Sequence, residues 1–419
     1  MWYHEYMASL RLVVSMAEYN IHIILALSFI AAALVNTQLV RRFGIEAGAL
    51  FVCLGVAAGP QGLEVSASWS PSTWSMLLSL LCGWVALKTG LACSLRSEGP
   101  LKPGALRAGS LYAILGMLGL ALGSFAILKV TISAPFESAW LFAALIIAAS
   151  GVATTPRTLQ TLALKQSAEG PVSEAGISLA RVAQSLVLLF ISVFAAVAEP
   201  STSFEGFRAL TASERILAEL LLGITLGFCT EVFLSQEGDK DRRLTTLVCL
   251  SLLASGLSVH LGLSPLLVNL VIGLSLANYG QRPEDRHHLA ERLDRPARYI
   301  LLMAMGAMWV PISSGAFWLV LISIFAARSA MLRIAGGAAG RAFGNEQAGF
   351  RFIGFTLVTQ GSAAIALTLM YLHSLPQEVA NLVLGVVMFL SLINDLWAPI
   401  AARAVLDEAG EIPSGFVEA

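Results

Sequence analysis

The sequence predicts an all-α polytopic membrane protein of about 13 transmembrane helices, built as two inverted repeats that each hold one broken helix. Three observations predict it. The 419 residues are 57% hydrophobic and only 13% charged, with mean hydropathy +0.76, whereas a soluble domain carries about 25% charged residues. Two long apolar segments are interrupted by Gly, Thr, Gln or Pro at membrane depth. Basic residues recur in every second inter-span segment. The formal net charge of −1 gives no reason to expect a nucleic-acid partner.

In chain order, the spans fall at about 21–40, 45–59, 70–94, 107–129, 136–165, 171–198, 212–235, 243–260, 264–279, 296–314, 316–337, 349–373 and 376–405. The first 20 or so residues lack the basic start and cleavage site of a signal peptide, so the first span is expected to act as its own signal. Alternate segments hold 19 of the 26 basic residues, and the opposite set holds four, Arg11, Lys129, Arg208 and Arg215. The positive-inside rule then expects residues 1–20 outside and the tail 406–419 in the cytoplasm. The polar stretches Ser235–Arg243 and Asn278–Arg295 are read as solvated loops, and the pair His287-His288 as exposed, with pH sensing a minor alternative. Cys53, Cys82, Cys93, Cys229 and Cys249 lie in or beside apolar runs and read as small hydrophobes, with neither a metal site nor a cofactor expected.

The fifth span breaks at Ser150-Gly-Val-Ala-Thr-Thr-Pro156-Arg157. Proline lacks the amide proton a helix needs and disfavours helical geometry in the residue before it. Backbone groups freed in a bilayer must find protein, water or an ion, so a break there implies a lined cavity. The next span carries one arginine, Arg181, and a charge at the bilayer centre usually faces a partner or a watery path. The pattern returns late in the chain: a helix with Arg328, a break at Thr356-Leu-Val-Thr-Gln-Gly-Ser362, and a helix with Asn394-Asp395. The equivalent spans are displaced by an odd number, which inverts one half relative to the other. Paired interruptions in corresponding positions point to a transport site.

Several stretches together resemble the monovalent cation:proton antiporter superfamily, the Na+/H+ exchanger-like proteins. They are Leu39-Val-Arg-Arg-Phe-Gly-Ile45 running on to Ala57-Ala-Gly-Pro60, Leu87-Lys-Thr-Gly-Leu-Ala-Cys-Ser-Leu95, Gly262-Leu-Ser-Pro to Asn278, and Asn394-Asp-Leu-Trp-Ala-Pro399 with the segment to Glu411. The resemblance implies a Na+/H+ antiporter-like fold in which the broken helices cross near the midplane. It implies a mobile core, about 107–198 and 316–405, within a transmembrane domain 21–405, and a scaffold, about 21–94 and 243–314. It also implies alternating access, a homodimer in the lipid bilayer of a cell membrane (the inner membrane in bacteria), and a small ion or solute as substrate, with H+ a candidate.

At the position where this family carries an ion-binding aspartate, the chain has Ala180 and Arg181, and no carboxylate occurs from Ile177 to Val197. A glutamate expected after the second break is Ser362. Cation binding needs oxygen donors carrying negative charge, and Arg181 supplies the opposite. Three roles stay open for it: neutralising the carbonyl ends of the broken half-helices, binding an anionic substrate, or pairing with Asp395 or another acid. Asp395 reads either as a helix-end carboxylate or as a protonatable coupling group. Arg328 is expected, from the resemblance, to compensate the charge of a broken helix. Thr154, Thr155, Gln184, Ser185, Thr359 and Gln360 are the polar groups available to line a cavity or cap backbone. Lys88 is expected to snorkel to the cytoplasmic face, and Glu46 and Glu219 to be structural. No catalytic constellation is present, so the chain reads as a secondary transporter with an Arg-containing site; the alternative is a transport-inactive relative acting as a membrane scaffold or sensor.

Overall fold

The computed structural model describes residues 47–60, 62, 71–94, 104–131, 137–166, 168, 170–198, 211–280, 283–312, 314–343 and 348–412. The span expected at 21–40 and Glu46 lie outside these residues. The described chain is helical. Its first helices are α1 (Ala47–Ala58), α2 (Pro71–Leu91), α3 (Ala105–Thr131), α4 (Glu137–Val152), α5 (Arg157–Gln166), α6 (Pro171–Ala198) and α7 (Ala212–Gln236). They continue with α8 (Lys240–His260), α9 (Pro265–Tyr279), α10 (Pro283–Glu291), α11 (Asp294–Met308), α12 (Gly315–Ala342), α13 (Ser362–Tyr371) and α14 (Gln377–Glu408). A 3-10 segment, Ala348–Leu357, stands before α13. Seven of the helices are long and apolar enough to cross a membrane, and four shorter apolar helices accompany them.

The outer helices turn apolar side chains outward. Leu118 and Leu122 of α3 and Phe233 of α7 are 57%, 70% and 70% exposed, which is unfavourable in water and ordinary against lipid. Inside, packing is close enough for backbones to touch. Gly336 of α12 meets Gly354 of the 3-10 segment, and a Cβ built on Gly354 would overlap the Leu332 carbonyl. The small-residue run Gly336-Gly-Ala-Ala-Gly340 is therefore what lets α12 lie on that segment.

Two triads carry the architecture. In the first, α3 and α6 pack around the broken pair α4 and α5. In the second, α12 and α14 pack around the 3-10 segment and α13. Thr154 in the first break and Gln360 in the second form an antiparallel bridge. The Thr155 amide donates to the Thr359 carbonyl at 3.0 Å. Antiparallel pairing is what two triads of opposite sense require when their extended breaks cross, and it satisfies backbone groups that lipid could not.

One expected loop is not a loop. Residues 283–291 form α10, held to α7 by a two-pronged Arg286–Glu231 ion pair. His287, expected to be exposed, is 7% exposed; His288 keeps its ring in the open. The helix packs because an arginine, a histidine and Leu289 fall on one side of a short polar segment that hydropathy alone assigns to water.

Candidate functional site

The site grows from the crossing. α4 stops at Val152 because Pro156 cannot donate to the helix, and α5 restarts at Arg157. The second break lacks proline, and α13 restarts at Ser362 after Gly361, which lies where a Cβ would press on Thr155 at 2.9 Å. The Gln360 side-chain amide donates to the Ser150 carbonyl at 3.1 Å, and the Thr359 hydroxyl donates to that of Thr158 at 2.8 Å. Both half-helices that follow the breaks therefore begin at the crossing, with their amide ends turned towards it.

The opposite, carbonyl ends are served by Arg328 from α12. Its Nε donates to the Gly151 carbonyl at 2.9 Å and its Nη2 to the Val358 carbonyl at 2.8 Å, with the side chain 2% exposed. One planar fork thus bridges carbonyls at the edges of both breaks. Arg328 therefore stands where a group compensating the carbonyl dipoles of the broken helices would stand. Of the acids considered for Arg181, Asp395 is engaged elsewhere. Asp395 on α14 takes both contacts from Arg298 of α11, at 2.8 and 2.5 Å.

Arg181 lines a cavity of about 430 Å³ at the crossing, together with Thr155, Gln184, Gln160 and Thr161. The cavity also receives Lys88 from α2, Arg157 from α5, Arg295 of α11 and Arg292 just before it, and the acids Glu291 and Asp294. Among the described residues, five cations and two carboxylates line this cavity, and Arg292 also stands 3.8 Å from Asp241 outside it. Asp294 is committed: Lys88 Nζ lies 2.7 Å from its Oδ1, the Ser362 hydroxyl donates to the same oxygen at 2.6 Å, and Arg157 Nη1 stands 3.9 Å from Oδ2. Lys88 is accordingly buried in an ion pair and does not snorkel. His287 also lines the cavity. Burial, and then the nearby Arg181, Lys88 and His288 charges, push its imidazole down to about 3, so it is neutral at physiological pH.

A second cavity, of about 890 Å³, lies towards the other end of α2 and is lined by Trp74, Ser75, Ser79, Ser264, Tyr371 and Asn381. Ser79 and Lys88 are nine residues apart on α2, about 14 Å at the helical rise. Buried Cys82 and Val85 of α2 stand between them. On the far side, Tyr371 reaches Ser264 and Ser192 at 3.3 and 3.1 Å.

Of the nine side chains singled out in the sequence, Thr155, Arg181 and Gln184 line the smaller cavity. Thr154, Thr359, Gln360 and Arg328 hold the crossing. Ser185 donates to the Thr89 carbonyl at 3.2 Å and seats α6 on α2, and Asp395 belongs to the Arg298 pair. Sequence reasoning missed Asp294, Lys88 and Ser362 as a group. The available signal was Pro296, which marks Arg292-Leu-Asp-Arg as the start of a helix whose first turn is acidic. Among the described residues no cluster of three or more His, Cys, Asp or Glu side chains is placed to hold a metal ion.

Crossed broken helices between two opposed cavities define the class: an integral membrane protein with the architecture of a secondary transporter. The sequence model of the transmembrane sodium/hydrogen exchangers matches residues 25–403, and the chain belongs to this family, whose members are transporters and not enzymes. Among solved structures, the sodium proton antiporter MjNhaP1 from Methanocaldococcus jannaschii is similar, with a TM-score of 0.64 and 15% identity over 93% of this chain and 99% of that one. At that identity the likeness speaks for the fold. No curated protein sequence matches the chain.

Proposed function

We propose that this chain is an alternating-access transporter whose substrate carries negative charge and binds at Arg181. A single observation carries the reading: among the described residues, the cavity at the crossing is lined by five cations and two carboxylates, and the buried one of the two is already bonded to Lys88 and Ser362. The amide ends of α5 and α13 add positive potential at the same point. A sodium ion there would meet a guanidinium in place of an acidic ligand. A small anion would meet Arg181, Lys88 and Arg157 with Thr155 and Gln184 as neutral donors.

The distribution of basic residues, 19 against four, supports a cytoplasmic position for the Lys88 end of the site and an outside position for the larger cavity. The core, α3 to α6 with α12 to α14, would then rock against α1, α2, α8, α9 and α11, in a homodimer of the kind the resemblance implies. The test is ligand-induced stabilisation of purified protein. A ligand that binds only the folded state stabilises by RT ln(1 + [L]/Kd), about 2.7 kcal/mol at a hundredfold excess over Kd. Chloride, nitrate, sulfate and acetate are the probes, with Na+, K+ and Li+ varied independently. The reading expects an anion to raise the unfolding temperature in wild type and not in Arg181→Ala. Stabilisation by a cation alone, unaffected by Arg181→Ala, would overturn it.

A further inference from the structure

We infer that the anion enters this cavity together with a proton, and that Asp294 is the group that takes the proton. The inference rests on the anion reading above and specifies how that site is coupled. Asp294 stands at the start of α11 and faces charged groups from several elements. Lys88 of α2 is 2.7 Å away, Arg157 of α5 is 3.9 Å away, and Arg298 lies one turn further along α11 and holds Asp395 of α14. Arg181 of α6, His287 and Glu291 of α10, Arg295 of α11 and Arg292 just before it line the same cavity, Arg292 being also 3.8 Å from Asp241. Neither α1 nor α13 carries a charged side chain.

The anion and the Asp294 carboxylate would share partners. Lys88 and Arg157 are cations that an anion beside Arg181 would touch, and they also stand 2.7 and 3.9 Å from the Asp294 carboxylate, Lys88 being the cation that chiefly holds it ionised. When the anion claims them, two negative groups share one low-dielectric pocket. Two such groups a few ångström apart do not both stay ionised, and the one that can accept a proton does so. Chloride, nitrate, sulfate and acetate all stay ionised near neutral pH, so the proton goes to Asp294. Water in the cavity delivers it to a carboxylate oxygen, no other bond changes, and the neutral carboxyl keeps its hydrogen bond with Ser362. His287 is buried neutral and holds no proton to give, and Glu291, with its side chain 38% exposed, is screened by water.

Coupling is reciprocal, so the proton tightens anion binding by the factor with which the anion favours the proton. The site would thus load one anion with one proton, without net charge for a monovalent anion. This coupling is opposite in sense to a carboxylate for which cation and proton compete.

Isothermal titration in two buffers of different ionisation heat measures proton uptake directly on the wild-type protein. Chloride, nitrate, sulfate and acetate serve as probes at about pH 6, 7 and 8. The expected result is uptake approaching one proton per anion at the upper pH, with affinity falling by up to about tenfold per pH unit where Asp294 is ionised in the empty site. Asp294→Asn keeps a partner for Ser362, and its anion binding should show neither proton uptake nor pH dependence. Binding in wild type with no proton uptake overturns the inference and leaves the anion reading standing. Uptake that persists in Asp294→Asn overturns the assignment to Asp294. Binding of none of the probes overturns the anion reading, and the coupling with it.

Discussion

Replacing Arg328 removes the group that joins the two breaks, and the cost can be worked from its contacts. The guanidinium donates to the Gly151 carbonyl at 2.9 Å and to the Val358 carbonyl at 2.8 Å, at 2% exposure. A hydrogen bond to a charged group contributes about 1.5–3 kcal/mol net, so the pair supplies roughly 3–6 kcal/mol. Interhelical bonds in membranes often measure smaller, about 0.6 kcal/mol, because the dissociated helices find other partners. These two acceptors stand at the edges of the breaks, and without Arg328 they lose their side-chain donor in a dry place. Arg328→Ala should therefore sit near the lower end of the range, about 3 kcal/mol below wild type. Arg328→Met keeps most of the stem's packing and should lose nearly as much. Arg328→Lys reaches one carbonyl and should recover roughly half. Unfolding in graded SDS, followed by tryptophan fluorescence, compares the four proteins. Arg328→Met within about 1 kcal/mol of wild type would refute the reasoning, since the hydrogen bonds would then contribute little.

Three further outcomes are expected. Lys88→Met leaves the Asp294 carboxylate buried without its ion-pair partner and should cost about 3–5 kcal/mol, whereas Lys88→Met with Asp294→Asn should regain most of that loss; equal losses in the same SDS unfolding series would contradict the pairing. Gly354→Ala should abolish folded protein in size-exclusion chromatography, because its Cβ would overlap the Leu332 carbonyl and backbone cannot yield as a side chain can; a monodisperse, wild-type-like peak would exclude the close approach. His287 is held neutral, with its titration pushed down to about 3, while an unfolded chain takes that proton near pH 6.5. It should therefore withdraw stability as pH falls from about 6.5 towards 3, and His287→Gln should flatten that part of the stability profile. His287→Gln should leave ligand responses between about pH 7 and 8 unmoved, and a shifted profile there would restore the sensing role for this residue.

The breaks were legible in the sequence for different reasons. Pro156 announces the first through covalent chemistry, since it cannot donate and its predecessor avoids the helix. The second shows only as a polar patch, Thr359-Gln-Gly-Ser362, in an apolar run. That the turn before it is 3-10 was not readable, because it follows from Gly336 and Gly354 meeting across two segments. The charge on Arg328 could be anticipated, but its two acceptors could not, since one lies 177 residues away. Asp294 was hidden for the same reason. Its run Glu291-Arg-Leu-Asp-Arg295 has the composition of a solvated loop, and only Lys88, 206 residues earlier, makes it a buried site. Local pattern carries the helices and their interruptions, whereas a long-range ion pair between two helices leaves no periodicity to read.

Flux through the protein tests the proposed anion site at Arg181 most directly. Purified wild type and Arg181→Ala would be reconstituted in proteoliposomes and monitored by a pH dye and by solid-supported-membrane currents. Jumps of chloride, nitrate, sulfate and acetate would be compared with jumps of Na+, K+ and Li+. The account predicts anion-dependent proton movement in wild type, lost in Arg181→Ala, with no response to the cations. Sodium-dependent proton flux in wild type that survives Arg181→Ala would contradict it and return the site to the cation chemistry of the family.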